Sequence, residues 1–248
     1  MSPTRREFLA ASAAVLAGLP KLTSSVAPSL DGMRRAHQRT ATVLLFQGDS
    51  ITDVDRDRKN DGANDQLGLG RGYPLLVAAA LRDRQAPRNL QIFNRGVSGN
   101  RVPDLDARWS ADTLALKPDV LSVLIGVNDL WHTLMGRYDG TPEKYAHEYR
   151  ALLDRTRTAL PDLRLVILEP FVLRTGAVDA RWFPVFDQFR AAAKRVAHDA
   201  HATFIPLHDM FQALARNTGP AYWLADGVHP TLAGHAAIAR RWLEAVKP

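Results

Sequence analysis

From residue 41 onward, apolar runs of strand length alternate with segments of helical period, and that alternation restricts this chain more than any other feature. Strands are expected at 43–47, 90–96, 119–129, 163–170 and 202–207. Helices are expected at 73–84, 102–116, 141–160, 183–200, 208–217 and 230–246. The third run, "DVLSVLIGVND", is apolar almost throughout, as a strand covered by helices on both faces should be. The third helical segment opens with Thr141 as a cap, Pro142 at the first helical position and Glu143 behind it. Strands separated by helices are joined by crossovers and run parallel. The fold class is therefore α/β, a three-layer α/β/α sandwich of about five parallel strands. Neither repeats nor a second composition regime occur, so residues 41–248 read as one domain.

The first 40 residues follow other rules. Arg5-Arg6-Glu7-Phe8-Leu9 leads into "AASAAVLAGL", an apolar stretch without a polar face and too short to span a bilayer. The paired arginines before Phe-Leu have the form of a twin-arginine export signal. Residues 1–27 are expected to be that signal and 28–40 a linker, so the chain is exported, periplasmic or secreted, with no stable membrane span once the leader is removed. The cleavage point is open. Loss of Arg5, Arg6, Lys21 and Glu7 would reduce the formal charge from +6 to +4. That charge is scattered, with no Lys/Arg block and no nucleic-acid motif. The absence of cysteine excludes disulfides, thiolate metal sites and cysteine nucleophiles.

Open parallel sheets place their sites at the carboxyl ends of the strands. "VLLFQGDSIT" (43–52) ends a strand on Gly48, Asp49 and Ser50. Ser50 there is either a turn residue or a nucleophile, and a serine needs a base to react. The chain has eight histidines. His37 is in the linker, and His147, His198 and His201 fall in helical segments away from strand ends. His132 lies near a strand end but lacks a carboxylate at the right spacing. His208 is beside Asp209, and adjacent helical residues point in different directions. His235 sits within the last helix as a structural residue. "DGVHPTLAGH" (226–235) differs from all of these. Asp226 and His229 are three positions apart, so one turn can present both side chains together. The carboxylate would fix the imidazole tautomer and leave Nε2 facing a hydroxyl. An Asp-Gly turn with a capping histidine is the plainer account of the same residues.

Acyl transfer also needs donors aimed at the developing oxyanion. Gly99, in "NRGVSGNR", offers a backbone N–H without a Cβ in the way. Asn128, in "GVND", offers a side-chain amide, and the Ser50 N–H is a third donor. Two other stretches fail as sites. "DVDRDRKNDGAND" (53–65) begins like a calcium loop, but has Arg58 where glycine is needed and Asn64 where glutamate is needed. "GLGRG" (68–72) does not follow a strand directly, as a dinucleotide loop must. Residues 53–70 are expected to form a polar, mobile lid at the rim of the site. No metal and no cofactor is called for.

Taken in order, "GDSIT", the glycine of "VSGN", the asparagine of "GVND" and "DGVHP" resemble the four signature blocks of the SGNH (GDSL-type) hydrolases, across nearly all of the chain after the leader. The one departure is Ile51, where the name-giving pattern has leucine. The resemblance implies a flavodoxin-like sandwich. It also implies Ser50 as nucleophile, His229 as base, Asp226 as orienting acid, and Ser50, Gly99 and Asn128 as oxyanion donors. There is no G-x-S-x-G elbow, which sets the chain apart from the α/β-hydrolases.

"LGLGRGYP", "NRGVSGNRVPDLDARW", "LKPDVLSVLIGVNDLW" and "VHPTLAGH" are similar to the acetylxylan and acetyl-xylooligosaccharide esterases of that family. That resemblance implies a serine esterase that removes small acyl groups, acetyl foremost, from sugar hydroxyls, with a small-molecule or oligosaccharide ester as substrate. Trp131, Tyr222 and Trp223 could present aromatic faces to a sugar ring, and Asp49 is a further candidate for substrate contact. Trp109, Trp182 and Trp242 are expected in the core. A lysophospholipase- or thioesterase-like lipid esterase and a non-enzymatic carbohydrate-binding protein are the alternatives. Acyl length, the alcohol and the oligomeric state stay open.

Overall fold

Thr42–Gly48 forms the first strand, β1, and its last five residues are buried. A buried backbone must find its hydrogen bonds in a ladder, and β1 finds them on both sides. A computed structural model describes residues 41–84 and 89–246. The expected leader and linker, 1–27 and 28–40, lie outside the described residues. Two single-turn helices follow β1: α1 (Ser50–Asp53) and α2 (Gln66–Leu69). Then come α3 (Tyr73–Arg84), β2 (Leu90–Asn94), α4 (Val102–Asp112), β3 (Val120–Leu124), α5 (Val127–Leu134) and α6 (Pro142–Ala159). The chain continues through β4 (Arg164–Leu168), α7 (Val185–Asp199), β5 (Thr203–Ile205), α8 (His208–Thr218) and α9 (Leu232–Ala245).

All five strands are parallel, in the order β2-β1-β3-β4-β5. This is the flavodoxin-like order, in which the direction of winding reverses between β1 and β3. Leu44 pairs with Val120 and Gly48 with Leu124, so both strands end at the same edge. A crevice opens at such a reversal because the two following connections turn away to opposite sides.

The sheet's two faces bury different partners. Phe46 faces α3 and α9, with its ring 5.6 Å from both Tyr73 and Trp242. The Trp242 indole N–H donates to Ser122 Oγ at 3.0 Å, beside Phe46 in register. On the opposite face Gln47 donates to Thr113 Oγ1 at 2.7 Å. There Trp109 of α4 donates to Thr156 of α6 at 2.8 Å, and Tyr145 of α6 meets Phe189 of α7 at 5.4 Å. Trp109, Trp182 and Trp242 are all fully buried. Each such ring contributes several kcal/mol, since truncating a buried aromatic to alanine costs ~3–5 kcal/mol.

Two expectations need correction. The strand expected at 119–129 stops at Leu124, and α5 begins at Val127. Ile125 and Val127 are buried, so the apolar run carries over from the strand into the first helical turn. The last helix starts at Leu232, capped by Thr231, which accepts from the Gly234 N–H at 3.2 Å; Pro230 precedes the cap. Residues 53–70 are joined at three points to the end of β2 and to the loop after it. Asn94 Nδ2 donates to the Leu69 carbonyl at 2.9 Å, Arg56 Nε to the Gly96 carbonyl at 2.7 Å, and Arg95 to the Asp61 carbonyl at 2.8 Å. Among the described residues no helix is long and apolar enough to cross a membrane.

Candidate active site

At the carboxyl end of β1 the backbone of Gly48 passes very close to its neighbours. A Cβ there would come within 2.4 Å of both the Leu124 carbonyl oxygen and Thr52 Oγ1. Only glycine lets β1 end against β3 in this way. Asp49 then caps α1, its Oδ1 accepting from the Ile51 N–H at 2.9 Å. Ser50 becomes the first residue of a one-turn helix, where backbone N–H groups have no intrahelical acceptor.

The second half is the loop that carries Asp226 and His229, the latter 179 positions after Ser50. Asp226 Oδ1 accepts from the backbone N–H of Val228 (3.0 Å) and of His229 (2.7 Å), while Oδ2 lies 2.7 Å from His229 Nδ1. Burial raises the Asp226 carboxyl, but these hydrogen bonds outweigh it and hold the group below the ordinary carboxylate range. A carboxylate at Nδ1 places the proton there and leaves Nε2 as the acceptor. Nε2 lies 2.9 Å from Ser50 Oγ. The loop is braced from behind, since Leu173 N–H donates to the Gly227 carbonyl and Ala177 N–H to the Asp226 carbonyl, at 2.9 and 2.8 Å. A hydroxyl, an imidazole and a carboxylate therefore stand in line. Such a line can shuttle one proton while the oxygen attacks a carbonyl carbon.

Gly99 has φ +82°, and a Cβ on it would meet nothing within 4 Å. It is glycine for its left-handed backbone, and the space beside it is open. Asn128 is the second residue of α5, not the tail of a strand, and its amide donates to the Asn100 carbonyl at 3.1 Å. That ties the two expected oxyanion loops to one another.

The expected substrate contacts separate. Trp131 is at the site, with its ring 5.9 Å from the His229 imidazole and 5.6 Å from Trp182 behind it. Tyr222 and Trp223 pair with each other at 5.1 Å, and the Trp223 indole donates to Thr218. Tyr222 is exposed; neither ring makes a ring contact with His229 among the described residues. Asp49 is corrected: at 1 % exposure it is a buried helix cap with no surface for a substrate. Burial, only partly offset by the Ile51 N–H and the nearby His229, lifts its carboxyl to about 7. Two other histidines are engaged elsewhere. Asp209, beside His208, is engaged by Arg190 at 3.1 Å, and His235 stacks on Tyr73 and accepts its N–H.

Some participants were not anticipated. Asp129 is fully buried and accepts from the Val102 N–H at 3.2 Å; burial, with the charge of Asp49 adding to it, raises its carboxyl to about 7. Asp53, the start of the failed calcium pattern, belongs to α1 and grips Ser98 through both its N–H and its hydroxyl at 2.9 Å. The only sequence signal for either was an acidic residue next to a motif. Among the described residues no group of three or more His, Asp or Glu side chains could hold a metal ion.

Residues 46–237 match the model of the GDSL-like lipase/acylhydrolase family. The chain belongs to that family. The hydrolase is 33% identical over 205 residues to an acetylxylan esterase of Geobacillus stearothermophilus, an alignment covering 82% of this chain and 93% of the relative. The crystal structure of an acetylxylan esterase from that organism superposes with a TM-score of 0.73 at 31% identity, covering 83% and 95% of the two chains. A candidate GDSL-like lipase from Parabacteroides merdae reaches a TM-score of 0.80 at 46% identity, with coverage of 82% and 94%. Family and fold together make the protein a serine carboxylic ester hydrolase on an α/β sandwich.

Proposed function

We propose that this hydrolase removes small acyl groups, acetyl foremost, from carbohydrate hydroxyls through an acyl-enzyme on Ser50. The observation that carries the reading is the line from Asp226 through His229 to Ser50, with contacts of 2.7 and 2.9 Å. Ser50 Oγ attacks the ester carbonyl carbon as His229 Nε2 takes its proton, and the carbonyl oxygen becomes an oxyanion. The N–H groups of Ser50 and Gly99 and the Asn128 amide receive that charge. Collapse breaks the bond to the sugar oxygen, which leaves with the proton from Nε2. Water then attacks the acyl-enzyme with His229 again as base, releasing the acid and restoring Ser50.

The relatives support this assignment. Catalytic variants of the Geobacillus esterase replace a serine and a histidine that lie 179 positions apart, the same separation as Ser50 and His229. Acetylxylan esterase is the name of that relative, and Trp131 beside His229 supports a sugar ring as the alcohol side.

Two measurements test the reading. A fluorophosphonate should label the wild type at Ser50 and leave Ser50→Ala unlabelled, with turnover of an aryl acetate down by ~10³–10⁶. Labelling elsewhere, or full turnover in Ser50→Ala, overturns the nucleophile; no labelling at all is the result for a carbohydrate-binding protein. Across acetylated xylo-oligosaccharides and acyl chains of increasing length, activity should be highest on the acetylated sugars. A preference for long chains would assign a lipid esterase. We further propose that residues 1–27 export the chain and 28–40 link it to the hydrolase unit. Replacing Arg5 and Arg6 with lysine should retain the protein in the cytoplasm, and unchanged export would refute a twin-arginine route.

A further inference from the structure

Arg108 lies on α4, and its side chain is only 18 % exposed. Its guanidinium reaches four groups. Nε donates to Asn100 Oδ1 at 2.7 Å, and Nη1 donates to the Arg95 carbonyl and to Asp112 Oδ2, both at 2.8 Å. Nη2 lies 3.4 Å from the Gly48 carbonyl. One side chain thus joins the carboxyl ends of β1 and β2 and the loop that carries Gly99. The planar fork of arginine is what permits this, because lysine offers a single point of attachment.

The contact to Asn100 continues toward the reacting centre. The main-chain carbonyl of Asn100 accepts one hydrogen of the Asn128 amide at 3.1 Å. A side-chain amide has two hydrogens. Once the Asn100 carbonyl fixes the first, the plane of the amide fixes the direction of the second. Asp53 grips the same loop from the α1 side through Ser98, so residues 98–100 are held at both ends by ionised side chains.

We propose that Arg108 is a positioning residue for the oxyanion site: by holding Asn100 it sets the Asn128 amide in the orientation that receives the transition-state charge. The proposal rests on Asn128 being an oxyanion donor. Its physical basis is preorganisation. A donor already aimed at the developing charge needs no rearrangement during reaction, and a misplacement of ~1 Å costs on the order of 10²-fold. A residue acting in this way lowers kcat when it is lost and leaves substrate binding intact.

The test is a double-mutant cycle on an aryl acetate, with kcat, KM and the rate of fluorophosphonate labelling as readouts. Asn128→Ala should lower kcat ~10²–10³-fold with KM little changed. Arg108→Lys should lower kcat and the labelling rate by about 10–100-fold with KM within about 2-fold of wild type. In the Asn128→Ala background the same substitution should lower kcat by less than about 3-fold, because the group it acts through is already gone. Asn100→Ala removes the accepting side chain and leaves the other partners of Arg108 in place. It should repeat the pattern at smaller amplitude, and it serves if Arg108→Lys fails to fold. Equal losses in both backgrounds would make Arg108 a purely structural tie, and an effect confined to KM would make it a binding residue. Full activity in Asn128→Ala would remove the oxyanion reading itself, an outcome distinct from either.

Discussion

The Trp131 indole lies against the His229 imidazole, with ring centroids 5.9 Å apart and planes inclined at 49°. Trp182 backs the indole at 5.6 Å and is itself fully buried. The imidazole therefore has a rigid wall on one side and the Ser50 hydroxyl at its Nε2. An aromatic pair of this kind is worth about 0.5–1.5 kcal/mol beyond its area, which is about 2–10-fold in rate. Trp131→Ala should lower kcat/KM by that factor on an aryl acetate and by more on an acetylated oligosaccharide, with Trp131→Phe retaining most activity. Identical losses on both substrates would show that the ring holds the histidine and does not touch the sugar.

Asp226 performs two tasks with its two oxygens. Oδ1 holds the turn through two backbone N–H groups, and Oδ2 holds His229 Nδ1. Asp226→Asn can keep the first by presenting its carbonyl oxygen to the turn. Its NH₂ then faces Nδ1 and forces the ring proton onto Nε2, where it points at the serine. Turnover should fall by ~10²–10⁴ while the thermal midpoint changes little. A large drop in the midpoint would indicate that the turn was lost with the charge.

The buried titrating groups give pH effects of opposite sign. Burial lifts Asp49 and Asp129 to about 7 from an ordinary 3.8. The folded chain binds more protons than the unfolded chain across that interval. The stability these groups contribute is fully present below 3.8 and is lost as pH rises through 7. Unfolding by urea at about pH 5 and about pH 8 should show Asp49→Asn with Asp129→Asn losing less stability between the two than wild type. His235 behaves in reverse. Burial, with the nearby His229 adding to it, lowers its pKa to about 4 from 6.5, and its neutral Nδ1 accepts the Tyr73 N–H at 3.2 Å. Its contribution is present above 6.5 and is lost as pH falls through 4, so His235→Gln should flatten the acid limb of the same curve.

Two glycines should separate stability from activity. Gly48→Ala drives a Cβ to 2.4 Å from a backbone oxygen of the neighbouring strand and should destabilise the fold severely. Gly99→Ala meets open space and carries only the cost of a left-handed backbone, ~1–2 kcal/mol. It should stay folded and lose activity, because its N–H would turn as the backbone relaxes. Comparing melting midpoints with kcat for the two variants checks both statements.

Not all of this was legible in the chain. The alternation of elements was, because strand and helix periods are local properties of ten or fifteen residues. The end of β3 was not. The apolar run passes through Ile125 and Val127 into α5, and burial on all sides leaves no period with which to tell a strand from a first helical turn. Asp226 and His229 were legible as a pair because a single turn sets their geometry. Their meeting with Ser50 was read from the order of the four blocks, since nothing local links positions 179 apart.

Arg108 marks the boundary most clearly. In sequence it is one arginine on an amphipathic helix, and such residues usually face solvent. Its four partners come from the ends of two strands, from a loop and from its own helix, and only the closing of the sheet brings them within reach. The sequence alone determined which segments form strands and helices, and which side chains carry hydroxyl, imidazole, carboxylate and amide. The tertiary structure decided that β1 and β3 lie side by side with their ends level. That placement, made by hydrogen bonds and packing between residues far apart in the chain, aligns those groups into one site.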